Sequence, residues 1–169
     1  TIQAIRALHQ RRPSATWSDL DLLAYEALIC LRSGDIAAAE RLLLEAADHP
    51  QHYLIRLIQA EFCLRTERYA EAEALANDFI QAYPHGIAFE PLAVARIPLA
   101  LALYGQRKIN LALQVMSDIV RVAAPERLIR PFLDGGPACV PLLLLVWQSR
   151  DLSAESRAFV GELLRLLDP

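Results

Sequence analysis

The chain has 169 residues, a formal charge of −3 and 54% hydrophobic residues, a length that suits one domain with a substantial core. A charged fraction of 22% and a mean hydropathy of +0.24 exclude a disordered acidic or basic tail. The longest nearly unbroken apolar stretch, Pro137 to Trp147, is too short for a bilayer span of about 20 residues, so no membrane partner is expected.

The first 18 residues read as an entry segment, with residues 1–11 resembling the second helix of an incomplete preceding repeat. Residues 19–50 and 52–84 then match each other at a spacing of 33: Ala27 with Ala60, Cys30 with Cys63, Arg32 with Arg65, Ile36 with Tyr69 and Ala39 with Ala72. A third copy, residues 93–125, places Ala100, Leu103, Ile109 and Ala112 in register after a spacing of 40. The additional residues fall around Pro84-His85-Gly86, in a connection where insertions are tolerated. Each copy has the apolar periodicity of two helices joined by a polar turn: Ser33-Gly34-Asp35, Thr66-Glu67-Arg68 and Gly105-Gln106-Arg107. Gly34 suits a helix C-cap and Asp35 the N-cap that follows. Pro50, Pro84 and Pro125 are expected to close the second helices, and Pro98 to kink or end its helix.

Residues 126–169 leave the repeat. They read as a short helix over 126–133, a turn at Asp134-Gly135-Gly136, a buried leucine-rich helix from Pro141 to Arg150, and an amphipathic helix from Ala154 to Leu167 with Ser153 as its N-cap. A solenoid needs such a terminal closure. The expected fold is therefore all-α, an α-α superhelix of tetratricopeptide-like hairpins with a C-terminal capping helix pair. The chain as a whole reads as one domain cut from a longer protein.

The segment from Ala100 to Leu145 carries a resemblance beyond the repeats. A Gly-turn-Ala helix pair leads to Ala124-Pro125-Glu126, then Arg130-x-Phe132-Leu133-Asp134-x-Gly136 and a leucine-rich helix. This resembles the end of the superhelical repeat domain in large bacterial LuxR-type, ATP-dependent transcriptional regulators related to the maltose regulator MalT. In that family a nucleotide-binding module precedes the repeats and a DNA-binding helix-turn-helix follows them. This chain has no Gly-x-x-x-x-Gly-Lys-Ser/Thr phosphate loop. The resemblance thus implies a regulatory fragment for signal transduction, which recognises an effector or protein partner and self-associates. It implies neither ATPase nor DNA binding by this segment, and DNA would be reached only through an absent domain. The charge pattern agrees: seventeen Lys and Arg are dispersed among twenty acids, without the concentrated basic face that holds a duplex. The competing reading is a freestanding repeat adaptor that grips a peptide or helix of a partner protein.

The inner face of the first helices is the expected recognition surface. Its candidate ligand-binding residues are Leu28 and Arg32 in the first copy, Leu57, Glu61 and Arg65 in the second, and Ile97, Leu101 and Tyr104 in the third. Arg32 and Arg65 share one repeat position; they either receive a carboxylate or phosphate or hold the last carbonyls of their own helices. Arg130 and Asp134 are expected to pair, with Phe132 packing inward. His49, His52 and His85 read as turn residues rather than a metal set, and His9 as a surface residue, because Pro50 breaks the spacing and no further ligand completes a tetrahedron. Cys30, Cys63 and Cys139 are widely spaced and read as core residues of a reduced, cytoplasmic protein. No catalytic constellation, metal site or cofactor fingerprint is read.

Overall fold

The computed structural model describes residues 19–49, 52–82 and 89–167. The expected entry segment 1–18 with His9, and the connections holding Pro50, Pro84, His85 and Gly86, lie outside those residues. The described residues are all-helical, in the order α1 (Asp19–Ser33), α2 (Ile36–Glu45), α3 (Tyr53–Arg65), α4 (Tyr69–Ala82), α5 (Phe89–Gly105), α6 (Ile109–Glu126), α7 (Arg130–Gly135), a 3₁₀ turn (Gly136–Cys139), α8 (Val140–Gln148) and α9 (Ala154–Leu167).

Each helix packs on the next through α6, and α1, α3 and α5 also pack on one another. That second set of contacts stacks the first helices of successive hairpins into an inner row, which is the arrangement of an α-α superhelix. The small residues make it possible. Ala27, Ala60 and Ala100 on the inner row, and Ala39, Ala72 and Ala112 on the second helices, are each at most 1% exposed. A larger side chain at any of them would overpack, which costs roughly 1–3 kcal/mol.

The turns explain the register. Gly34, Glu67 and Arg107 all have positive φ, at 83°, 59° and 63°. In each hairpin the next residue donates back to a core carbonyl: Asp35 to Cys30, Arg68 to Cys63 and Lys108 to Leu103. The left-handed residue itself donates to Leu31, Leu64 and Tyr104 respectively. This pair of bonds is the Schellman stop, repeated three times at equivalent positions. The Asp35 side chain then accepts from the Ala38 amide at 3.0 Å, starting α2 as an N-cap does.

One proline acts against expectation, and a second does not end its helix. Pro125 does not close its helix: α6 runs to Glu126 and stops at Arg127, whose φ of 50° supports a fourth Schellman stop. Pro98 lies inside the continuous helix α5, forgoing one main-chain bond without ending the helix. The short helix is consequently shifted to Arg130–Gly135, with Pro131 in the first turn, where its missing N–H costs nothing. Asp134 and Gly135 belong to that helix, and the left-handed residue is Gly136 (φ 65°).

The terminal closure is packed by α6, α8 and α9 together. Phe132 is fully buried and meets Phe159 edge-on, with ring centroids 5.7 Å apart. Ser153 caps α9 by accepting from the Ser156 amide at 3.1 Å. Helix α8 is sheltered on one side only: Leu142, Leu143 and Val146 are buried, but Leu144 and Trp147 are about two-fifths exposed. The expectation of a helix buried all round is corrected accordingly. No helix of the described residues is long and apolar enough to cross a membrane.

Candidate functional site

On the inner row the structure gathers a group of charged side chains from distant parts of the chain. Arg32 stands at the end of α1, Glu61 and Arg65 in the last turns of α3, and Arg130 and Asp134 on α7. Arg32 Nη2 lies 3.1 Å from Asp134 Oδ1, and Arg130 Nε donates to the same oxygen at 3.0 Å. One carboxylate is therefore shared by the first repeat and the terminal closure. Arg65 Nη2 is 3.6 Å from Glu61 Oε1, too long for a good hydrogen bond.

Glu61 is the tense member of this group. Its Oε1 is shut from solvent and accepts no hydrogen bond. Burial pushes its carboxyl above the ordinary glutamate range; the Arg32 and Arg65 charges pull it down without offsetting the burial, and Asp134 adds repulsion. Three guanidinium groups thus surround two carboxylates, one of which is held more readily in its neutral form. Such a cluster suits charge-directed recognition of a partner and responds to anything that takes Asp134 away from Arg32.

The remaining inner-row residues divide. Leu28 is partly covered against the core of the first two hairpins, and Leu101 and Tyr104 against that of the third hairpin and closure. Leu57 is half-buried. Ile97 is only 2% exposed; a Cβ built on Gly135 would sit 3.0 Å from its Cγ2. Helix α7 therefore covers Ile97, which packs as core and does not line an open groove. Arg32 and Arg65, placed at one repeat position, meet different carboxylates.

Two inter-repeat contacts carry no signal in the sequence reading. Gln106 Nε2 donates to Glu73 Oε2 at 2.7 Å and to the Tyr69 carbonyl at 3.2 Å, and Lys108 Nζ reaches the same Glu73 oxygen at 2.8 Å. These donors hold the Glu73 carboxyl below its ordinary range. His52 Nε2 is 3.4 Å from Asp21 Oδ1, bridging the first two hairpins, while its ring stacks on Tyr53. His52 is thus a packed bridge residue rather than a solvated turn residue.

The cysteines are all buried. Burial raises the thiol pKa of each, pushing Cys139 up to about 12, so none has the depressed pKa of a nucleophile. Among the described residues no three His, Cys, Asp or Glu side chains are grouped to hold a metal ion. Comparison with protein-family models, curated proteins and solved structures gives no match to this chain.

Proposed function

We propose that this chain is a non-catalytic regulatory domain of a LuxR-type, MalT-like transcriptional regulator, recognising an effector or protein partner on the inner row of its tetratricopeptide-like superhelix. The observation that carries the reading is the Arg32–Asp134 ion pair, which ties the first hairpin to the terminal closure through the candidate recognition surface. A ligand that engages Arg32 or Asp134 separates the pair and favours a superhelix with a differently seated closure. Its leverage equals its preference for that state over the tied one. Self-association follows from the same change of packing. The Arg130-x-Phe132-Leu133-Asp134-x-Gly136 stretch supports the family assignment, because the residues that carry the resemblance are those that build the tie and the packing beneath it.

The domain itself is expected to leave DNA alone. In fluorescence anisotropy with a labelled duplex at about 0.15 M salt, the isolated chain should give no saturable binding. Nanomolar affinity under those conditions would overturn the assignment of DNA contact to a separate domain.

A further inference from the structure

A second surface lies at the other side of the terminal closure. A shallow, largely open groove of about 650 Å³ lies between α8 and α9, lined by Trp147, Leu152, Ala154, Arg157, Ala158, Gly161 and Arg165. Trp147 is 43% exposed on its wall, and Leu144 on the same helix is 41% exposed. The floor is low: a Cβ built on Gly161 would meet no atom within 4 Å. From Ala154 to Arg165 the groove follows α9 for about 16 Å, at 1.5 Å per residue, which matches three turns of an incoming helix. An exposed tryptophan beside an open, low floor is the usual anchor of a helix-in-groove interface.

The charges select the occupant. Arg157 donates to the main-chain carbonyls of Trp147 and Ser149, and Arg165 to that of Gly161. Each guanidinium carries five N–H donors, and among the described residues no carboxylate answers either one. Of the two acids of α9, Glu162 is committed to Arg127 and Glu155 stands exposed in the first turn. A second copy of this chain docked symmetrically would set the two arginine pairs against each other, which disfavours it. We infer that this groove binds an acidic amphipathic helix of a partner protein, with apolar side chains on Trp147 and the Ala158–Gly161 floor and carboxylates on Arg157 and Arg165. The site is independent of the inner-row cluster.

The test uses the whole chain and two probes: a 16-residue amphipathic peptide with Leu at helical spacing and Glu on its flanks, and the same peptide with every Glu replaced by Lys. Binding is read from the indole N–H resonance of Trp147, assigned with Trp147→Phe. The acidic peptide should saturate the Trp147 shift with a Kd at least tenfold below that of the basic one. Gly161→Leu, whose side chain enters open space, should weaken it tenfold or more at an unchanged or raised Tm, Leu being the better helix former; Arg165→Glu should weaken it as much at unchanged Tm. Arg32→Ala with Arg65→Ala should leave it unaltered. Equal affinity for both peptides, absence of a Trp147 shift, or indifference to Gly161→Leu would overturn the inference. So would concentration-dependent self-association that Gly161→Leu abolishes, which would give the groove to a second copy.

Discussion

Gly105→Ala should destabilise the protein although it places alanine in a helix. In an unencumbered helix the exchange favours Ala by about 1 kcal/mol. Here the new Cβ would lie 2.5 Å from both Cδ1 and Cε1 of Tyr69 and 2.7 Å from its Cγ, well inside van der Waals contact. The clash is with the base of the ring as well as its edge, so turning the ring about its Cβ–Cγ bond does not relieve it. Tyr69 opens α4, and its carbonyl accepts from Gln106, so shifting the residue also strains the clasp between the second and third hairpins. Overpacking costs roughly 1–3 kcal/mol, and the net expectation is a loss of up to about 2 kcal/mol once the helix gain is subtracted. For a chain of this size that lowers Tm by up to roughly 8 °C. The repeat supplies a rescue. One copy earlier, the positions equivalent to Tyr69 and Gly105 hold Ile36 and Arg65, a smaller side chain with a residue that has a Cβ. Tyr69→Ile should therefore restore most of the stability lost in Gly105→Ala, measured by urea denaturation of the single and double variants. A higher Tm for Gly105→Ala, or strictly additive effects, would refute the packing argument.

The Schellman stops predict that Glu67→Gly and Arg107→Gly each stabilise by about 0.5–1 kcal/mol while Gly34→Ala destabilises by about 1 kcal/mol in the same assay, because a side chain is strained at positive φ. Glu73 sets an acid limit. Its folded pKa is depressed by Lys108 and Gln106, so its contribution is full above the ordinary glutamate pKa and is lost as pH falls through the depressed value; Glu73→Gln should flatten the Tm profile there. Glu61 runs the other way: its pKa is raised by burial, so stability falls as pH rises from the ordinary value through the raised one. Glu61→Gln should remove that decline. Arg32→Ala combined with Arg65→Ala should shift Tm by no more than a few degrees, since Arg32 and Asp134 are each more than a third exposed and such pairs contribute about 0–1 kcal/mol; outright unfolding would make the arginines structural.

What the sequence made legible was local and periodic. Matched alanines and turn residues recurring at 33 positions encode the hairpins, because close helix approach and a left-handed stop each need particular residues at fixed offsets. Ser153 and Asp35 were readable as caps for the same reason. The errors lie where local rules compete. Pro125 suggests a helix end, yet the stop came at Arg127, which carries no glycine signal. Helix α8 looks uniformly apolar, and only tertiary packing decides that Leu144 and Trp147 face outward. The site was half legible. Arg32 and Arg65 stand out by repetition, and Arg130 with Asp134 by their i, i+4 spacing, but nothing local links Arg32 to Asp134. That contact depends on how the closure folds back onto α5, which also explains why Ile97 is covered.

The assignment to a transcriptional regulator is tested most directly by reading the source gene for about 70 codons past Pro169, the length of one small domain. The account predicts an in-frame helix-turn-helix, two short helices with a tight turn and a basic recognition helix. A stop codon, or a continuation without that motif, would contradict it and leave a freestanding repeat adaptor.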